Sequence, residues 1–137
     1  MKYLVLFVLV VVVGTFPAVL ADSDAEFKEK VGPVAKACQA DAGATDEDVN
    51  TYIAWEELKT QGAKCLAKCV YEKMGLIKEG KFVSDEDILK IYHQVYAGNE
   101  EKLAKADNVV AKCVPLGRNE ADGCEMAAKV HACGTQN

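Results

Sequence analysis

The segment KCLAKCVYEKMG, Lys64 to Gly75, places two cysteines four residues apart in a stretch of helical character. Thiols at that spacing suit three kinds of chemistry: half of a metal site, a redox pair, or two anchors that brace one helix against two partners. A zinc site would take its other ligands from His93 and His131, the only histidines present. Such sites usually match one close cysteine pair with a second pair of ligands at two-to-four-residue spacing, and the other cysteines are not spaced that way. No metal and no cofactor are therefore expected.

The compartment bears on the same question. The chain opens MKYLVLFVLVVVVGTFPAVLA, with Lys2 ahead of an apolar run from Tyr3 to Val13 and helix breakers at Gly14 and Pro17. That is the layout of a secretory signal peptide over residues 1–21, with cleavage after Ala21. The run is shorter than the roughly 20 residues of a membrane span. The expected mature domain is 22–137, secreted and extracellular, with no membrane insertion. All six cysteines, at 38, 65, 69, 113, 124 and 133, lie in it. An even count in a short exported chain reads as a disulfide framework. The net charge is −5, and loss of Lys2 makes it −6. An acidic chain repels phosphate backbones, so nucleic acid is not an expected partner.

The elements that position the cysteines read as six helices in one domain. The first covers about 25–40, with Phe27, Val31, Val34, Ala35 and Cys38 on one stripe and Pro33, a potential kink, inside it. The second starts at Thr45, where Thr45 and Asp48 have capping-box spacing. The third runs over about 63–74 and ends at Gly75, a residue suited to the left-handed position, with Leu76 packing back. A loop turning at Gly80 leads to the fourth, which starts at Ser84. The fifth spans about 100–114, stopped by Pro115 and Gly117, and the sixth about 120–133.

Six cysteines allow 15 pairings. Residues four apart on a helix hold their Cβ atoms roughly 5–6 Å apart, whereas a disulfide needs about 3.8 Å. Cys65 and Cys69 therefore do not bond each other, which leaves twelve pairings open. Both lie on one face, so each reaches a different partner. Three bridges over loops of tens of residues are worth about 3–4 kcal/mol each, which frees a small domain from needing a dense core.

The full pattern, C-x26-C-x3-C-x43-C-x10-C-x8-C, together with EKMGLI after the third cysteine and the Gly80 loop, resembles the insect odorant-binding proteins, the pheromone/general-odorant-binding family. The resemblance implies the pairing Cys38–Cys69, Cys65–Cys124 and Cys113–Cys133. It implies an all-α, six-helix, disulfide-bridged single domain enclosing an apolar cavity. The function it implies is a carrier that solubilises odorants, pheromones or fatty-acid-like molecules in extracellular fluid, with an olfactory receptor as a candidate partner for delivery. Only Gly134 to Asn137 follow Cys133, so the long tail that closes the pocket in some members is not expected.

A carrier needs an apolar pocket of a few hundred Å³ with one or two polar groups. The apolar faces nominate Val31, Val34, Ala67, Val70, Met74, Phe82, Ile88, Ile91, Tyr92, Val95, Leu103, Ala106, Val110, Met126 and Val130 as its lining, with Tyr92 as the polar handle. An eight-to-ten-carbon chain gains roughly 6–8 kcal/mol gross on burial. Trp55, the single tryptophan, has two readings: a cover over the pocket or a surface residue. His93 and His131 would make a pH switch if they faced the pocket, but solvated helix-surface positions are the plainer expectation. No catalytic residue stands out. The mature chain has two serines, Ser23 and Ser84, no phosphate-cradling glycine motif, and no free thiol if every cysteine is paired. The competing reading is a secreted interaction or defence protein whose disulfides serve robustness alone.

Overall fold

The computed structural model describes residues 28–136. The expected leader, 1–21, lies outside the described residues, as do Ala25 and Phe27. The described chain runs α1 over 28–42, α2 over Asp46–Ile53, α3 over Gln61–Lys73, β1 over Ile77–Lys78, β2 over Lys81–Phe82, α4 over Asp85–Val95, α5 over Glu100–Lys112, α6 over Val114–Arg118 and α7 over Gly123–Gln136. The fold is all-α: six longer helices bridged by disulfides, with one five-residue helix and a two-stranded ribbon between them.

The helix starts follow from side-chain chemistry. Thr45 and Asp48 form the reciprocal capping box, the Asp48 N–H donating to Thr45 Oγ1 and the Thr45 N–H donating to Asp48 Oδ2. Asp48 also accepts from Thr60 Oγ1 at 2.8 Å. Thr60 in turn caps α3, accepting from the Ala63 N–H. One buried carboxylate thus joins the starts of α2 and α3. The Thr45 backbone N–H is the main cause holding the Asp48 carboxyl below its usual range; burial opposes it, and the hydroxyls of Thr60 and Thr45 add to it. Ser84, Asn99 and Asp122 cap α4, α5 and α7 in the same way.

α3 ends in a Schellman motif. Gly75 has φ +83°, its N–H donates to Glu72 O, and the Leu76 N–H donates to Tyr71 O at 2.8 Å. The chain then makes a hairpin whose two-residue loop, Glu79-Gly80, has positive φ at both positions and pairs Ile77 with Phe82. Positive φ at both loop residues matches the twist of the flanking strands.

The expected end of the fifth helix needs correction. α5 stops at Lys112, and Pro115 and Gly117 lie inside α6 rather than terminating anything. Proline at the first helical turn loses no hydrogen bond and comes with a helical φ already set. α1 likewise continues through Pro33.

The disulfides are Cys38–Cys69, Cys65–Cys124 and Cys113–Cys133, closing 31, 59 and 20 residues. α3 is tied to α1 by one sulfur and to α7 by the other. Beside the second bridge, Lys64 pairs with Glu125 at 3.0 Å. α3 and α7 form the most extensive helix contact of the fold, and Leu66, Ala67, Val70, Ala127 and Val130 are buried between or around them. α4 carries no cysteine. Lys30 Nζ reaches the carbonyls of Gln94 and Val95 at its C-terminus, at 3.4 and 3.1 Å, where a cation also suits the helix dipole. Arg118 holds its start through Val83 O at 2.8 Å and Asp85 Oδ1 at 2.7 Å.

Gly117 of α6 is packed tightly against the core. A Cβ there would fall 2.7 Å from Val130 Cγ2, 2.8 Å from Phe82 Cε2 and 3.2 Å from Met126 O. Gly117→Ala is expected to destabilise the fold by roughly 1–3 kcal/mol through overpacking, read as a lowered denaturant midpoint. A midpoint equal to that of the parent chain would show that α6 yields without strain.

Candidate ligand pocket

A cavity of about 410 Å³ opens where the end of α2 faces α4 and the first half of α5. Among the described residues, Ile53, Ala54 and Trp55 come from the end of α2, Tyr92 and Tyr96 from α4 and its cap, Lys102, Lys105, Ala106 and Val109 from α5, and Lys28 from α1. The volume falls in the range of small-molecule sites. A second hollow of about 510 Å³, beside the starts of α2 and α3, is lined by Glu47, Asp48, Glu56 and Glu57 among others. Four carboxylates make it a poor home for an apolar molecule.

Trp55 owes its place to an unusual helix end. Ala54 is the C-cap of α2, and Trp55 follows in the left-handed conformation, φ +59°. Its N–H donates to Tyr52 O and the Glu56 N–H donates to Thr51 O, both at 3.1 Å. This is the Schellman geometry again, with tryptophan at the position glycine usually fills. Left-handed backbone costs a non-glycine residue roughly 1–2 kcal/mol. The indole gains a stack in exchange: its ring lies 5.5 Å from His131 at an interplanar angle of 11°. Lys105 Nζ stands 5.7 Å from the centre of the same ring.

His131 is the buried post behind this wall, 2% exposed. It stacks on Tyr52 at 5.4 Å, and its Nε2 lies 2.8 Å from Glu56 O. A carbonyl only accepts, so Nε2 carries the proton. Burial pushes the imidazole pKa down, partly offset by the Glu56 carbonyl. The solvated-surface expectation therefore fails for His131, whose helix face turns inward, while His93 is exposed.

Tyr92 and Tyr96 form the opposite wall, with parallel rings 6.2 Å apart. Desolvation pushes the Tyr92 phenol up to about 12, so it stays neutral and able to donate at physiological pH.

Of the fifteen residues nominated from the sequence, Tyr92 and Ala106 line this cavity. Val31, Ala67, Val70, Phe82, Ile88, Val110, Met126 and Val130 are buried in the core, and Val34, Met74 and Ile91 pack against it. Val95 and Leu103 are half-buried and lie outside the lining. Ala67, Val70, Met126 and Val130 are buried where α3 and α7 meet. Ile53, Ala54, Tyr96, Val109 and the three lysines were not anticipated. The i, i+4 spacing of Tyr92 and Tyr96, which puts both rings on one helix face, was the available signal.

Comparison with known proteins places the chain. The PBP/GOBP family matches residues 21–137. General odorant-binding protein 19d of Drosophila melanogaster is 29% identical over 77% of this chain and 70% of its own length. General odorant-binding protein 28a of the same species is 28% identical over 94% and 89%. Among solved structures, a pheromone binding protein from the cockroach Leucophaea maderae, in complex with the fluorescent reporter ANS, superposes with TM-score 0.75 at 25% identity, covering 82% of this chain and 96% of that one. The Drosophila odorant-binding protein dmelOBP28a gives TM-score 0.62 at 26% identity, over 80% and 93%.

Two outcomes follow from the Trp55 wall. Trp55→Ala keeps the left-handed backbone strain and loses the stack, whereas Trp55→Gly loses both. The glycine variant should therefore be the more stable of the two by about 1 kcal/mol in chemical unfolding; equal stabilities would remove the strain argument. The second concerns pH. A histidine whose folded pKa is depressed contributes no penalty above its unfolded value of about 6.5. Below that value the unfolded chain takes the proton first, so stability falls as pH drops toward the folded pKa. Unfolding free energy should decline between pH 7 and 5, and His131→Gln, which keeps a donor but does not titrate, should flatten that decline.

Proposed function

Because this chain belongs to the PBP/GOBP family, we propose that it is an exported carrier that takes small hydrophobic molecules (odorants, pheromones or fatty-acid-like compounds) into the Trp55–Tyr92–Tyr96 cavity and keeps them soluble in extracellular fluid. Members of the family are small-ligand carriers and not enzymes, and the same holds for this chain. In this reading residues 1–21 are the signal peptide and 22–137 the working domain, and the loaded protein delivers its cargo to an olfactory receptor.

The observation that carries the reading is the cavity itself, about 410 Å³ with three aromatic rings on its walls. Three cystines support it, because they tie α1, α3, α5 and α7 to one another and leave the space between α2, α4 and α5 unfilled. The relative from Leucophaea maderae holds ANS, which makes ANS a natural first probe here. An eight-to-ten-carbon ligand gains roughly 6–8 kcal/mol of burial before association costs, which fits micromolar affinity, about −8 kcal/mol. Tyr92 supplies a neutral donor for a carbonyl or hydroxyl at the ligand's polar end.

The oxidised domain 22–137 should enhance ANS fluorescence with micromolar affinity and release the probe to decan-1-ol, with a parallel change in Trp55 emission. No enhancement in protein shown to lack free thiols would overturn the carrier reading.

A further inference from the structure

Three helices carry tyrosines inward. Tyr52 lies on α2, Tyr71 on α3 and Tyr92 on α4, with Tyr96 as the C-cap of α4. Tyr52 is 4% exposed and Tyr71 5%, and Tyr92 packs against the same core. Tyr52 immediately precedes the cavity residues Ile53, Ala54 and Trp55, and it stacks on the His131 ring that backs Trp55. Tyr71 stands one turn before Gly75, where a Cβ would fall 3.7 Å from Ile91 Cδ1. The end of α3 therefore abuts the stretch of α4 that carries Tyr92, which itself lines the cavity. Electrostatics agrees with this placement. Burial is the main cause raising the Tyr52 and Tyr71 phenols above their ordinary range. Tyr92 and Tyr96 add to it for Tyr52, and Tyr52, Tyr92 and Tyr96 add to it for Tyr71. Such coupling falls with distance, so the phenols of α2, α3 and α4 face one region beside the cavity lining.

The fold uses the rings and leaves the hydroxyls unused. Tyr52 stacks on His131, Tyr71 packs on Phe82 at 6.1 Å and Tyr92 lies parallel to Tyr96. Among the described residues, the hydroxyls of Tyr52, Tyr71 and Tyr92 make no hydrogen bond. No side-chain nitrogen or oxygen among those residues is both sealed off and unpartnered, so the small accessible area left on Tyr52 and Tyr71 includes their oxygens. For packing alone phenylalanine would serve, without a hydroxyl to desolvate. A buried phenol ordinarily has a partner. Here the donors stand ready for an oxygen that comes with the cargo.

We propose that Tyr52, Tyr71 and Tyr92 form a hydrogen-bonding recess for the oxygen of a ligand's carbonyl or hydroxyl head, and that the carrier thereby favours oxygenated molecules over hydrocarbons of the same shape. This deepens the carrier reading, on which it rests, and adds Tyr52 and Tyr71 to the groups that recognise cargo. A head entering beside Tyr92 meets donors from two further helices. A carbonyl oxygen has two lone pairs, so it can accept from Tyr92 and from one of its neighbours. The direction of the preference is diagnostic. A purely apolar cavity favours the hydrocarbon, because an oxygenated head loses hydration on entering it.

The test compares octan-2-one with 2-methyloct-1-ene, in which a methylene group replaces the oxygen, by depletion of headspace vapour over the oxidised domain 22–137. The parent chain is expected to bind the ketone at least as tightly as the alkene. Tyr52→Phe/Tyr71→Phe keeps the ring contacts and should weaken octan-2-one by roughly fivefold, as for one neutral hydrogen bond, while leaving the alkene unchanged. The carbonyl stretch of bound octan-2-one, lowered by hydrogen bonding in the parent, should move back up in that variant. Its denaturant midpoint without ligand should match or exceed the parent's, because neither hydroxyl has a partner among the described residues. A parent chain that prefers the alkene, an unchanged ketone affinity in the variant, an equal loss for both ligands, or a lowered midpoint overturns the recess and leaves the carrier reading intact. Binding of neither ligand by the parent overturns both.

Discussion

α3 holds two sulfurs one helical turn apart that cannot close on each other, and the architecture grows from that constraint. Each sulfur has to find a different partner, so Cys69 fixes α1 and Cys65 fixes α7. α7 is then fixed a second time, by Cys133 to Cys113 at the end of α5. Because the three loops overlap, α1, α3, α5 and α7 cannot separate without opening a bridge. The consequence for packing is that α3 and α7 are drawn together, and their apolar residues exclude water from the middle of the domain. The cavity of about 410 Å³ has no cysteine among its described lining residues. α2 and α4 carry no cysteine, and the cavity lies between them and α5. Side-chain ties hold those two helices instead: Asp48 to Thr60 for α2, Lys30 and Arg118 for the two ends of α4.

The wall formed by Trp55 illustrates how a local cost becomes a feature of the site. Glycine at that position would end α2 without strain and leave the cavity open on one side. Tryptophan accepts the left-handed backbone and delivers a large ring to the wall. That ring is held in place from behind by His131, whose own position depends on the Glu56 carbonyl one residue past Trp55. The turn, the ring and the histidine therefore form one unit. A change in the protonation of His131 acts on the turn that positions Trp55 as well as on the stack.

Much of this was legible in the sequence because it depends on neighbours in the chain. Capping at Thr45 and Ser84, the Gly75 stop and the apolar stripes are local, and the helices lie close to where those signals put them. The cystine pairing followed from the family resemblance of the spacing. Geometry alone excluded one bond and left twelve arrangements open. The cavity lining was the least legible part. Helical periodicity marks which face turns inward, but filled core and empty cavity both lie inward, and only the three-dimensional separation of helices tells them apart. The nominated stripe residues are therefore mostly core. The wall of the α2–α4–α5 cavity is built from helix ends and includes residues with one apolar and one polar end, tyrosine, tryptophan and lysine, which carry little weight in an apolar periodicity. α6 was missed for a similar reason: Pro115 reads as a stop to the preceding helix and equally as the start of the next.

The two kinds of wall do different work. Aliphatic and aromatic surface contributes in proportion to area and is indifferent to what the ligand is, so it sets affinity and gives little discrimination. Discrimination comes from the few polar groups, since a group buried without its partner is costly in a way that a missing methylene is not. In this cavity the Tyr92 phenol is such a group. Tyr92 serves an alcohol, a carbonyl or a carboxylate alike, because its hydroxyl donates to any oxygen.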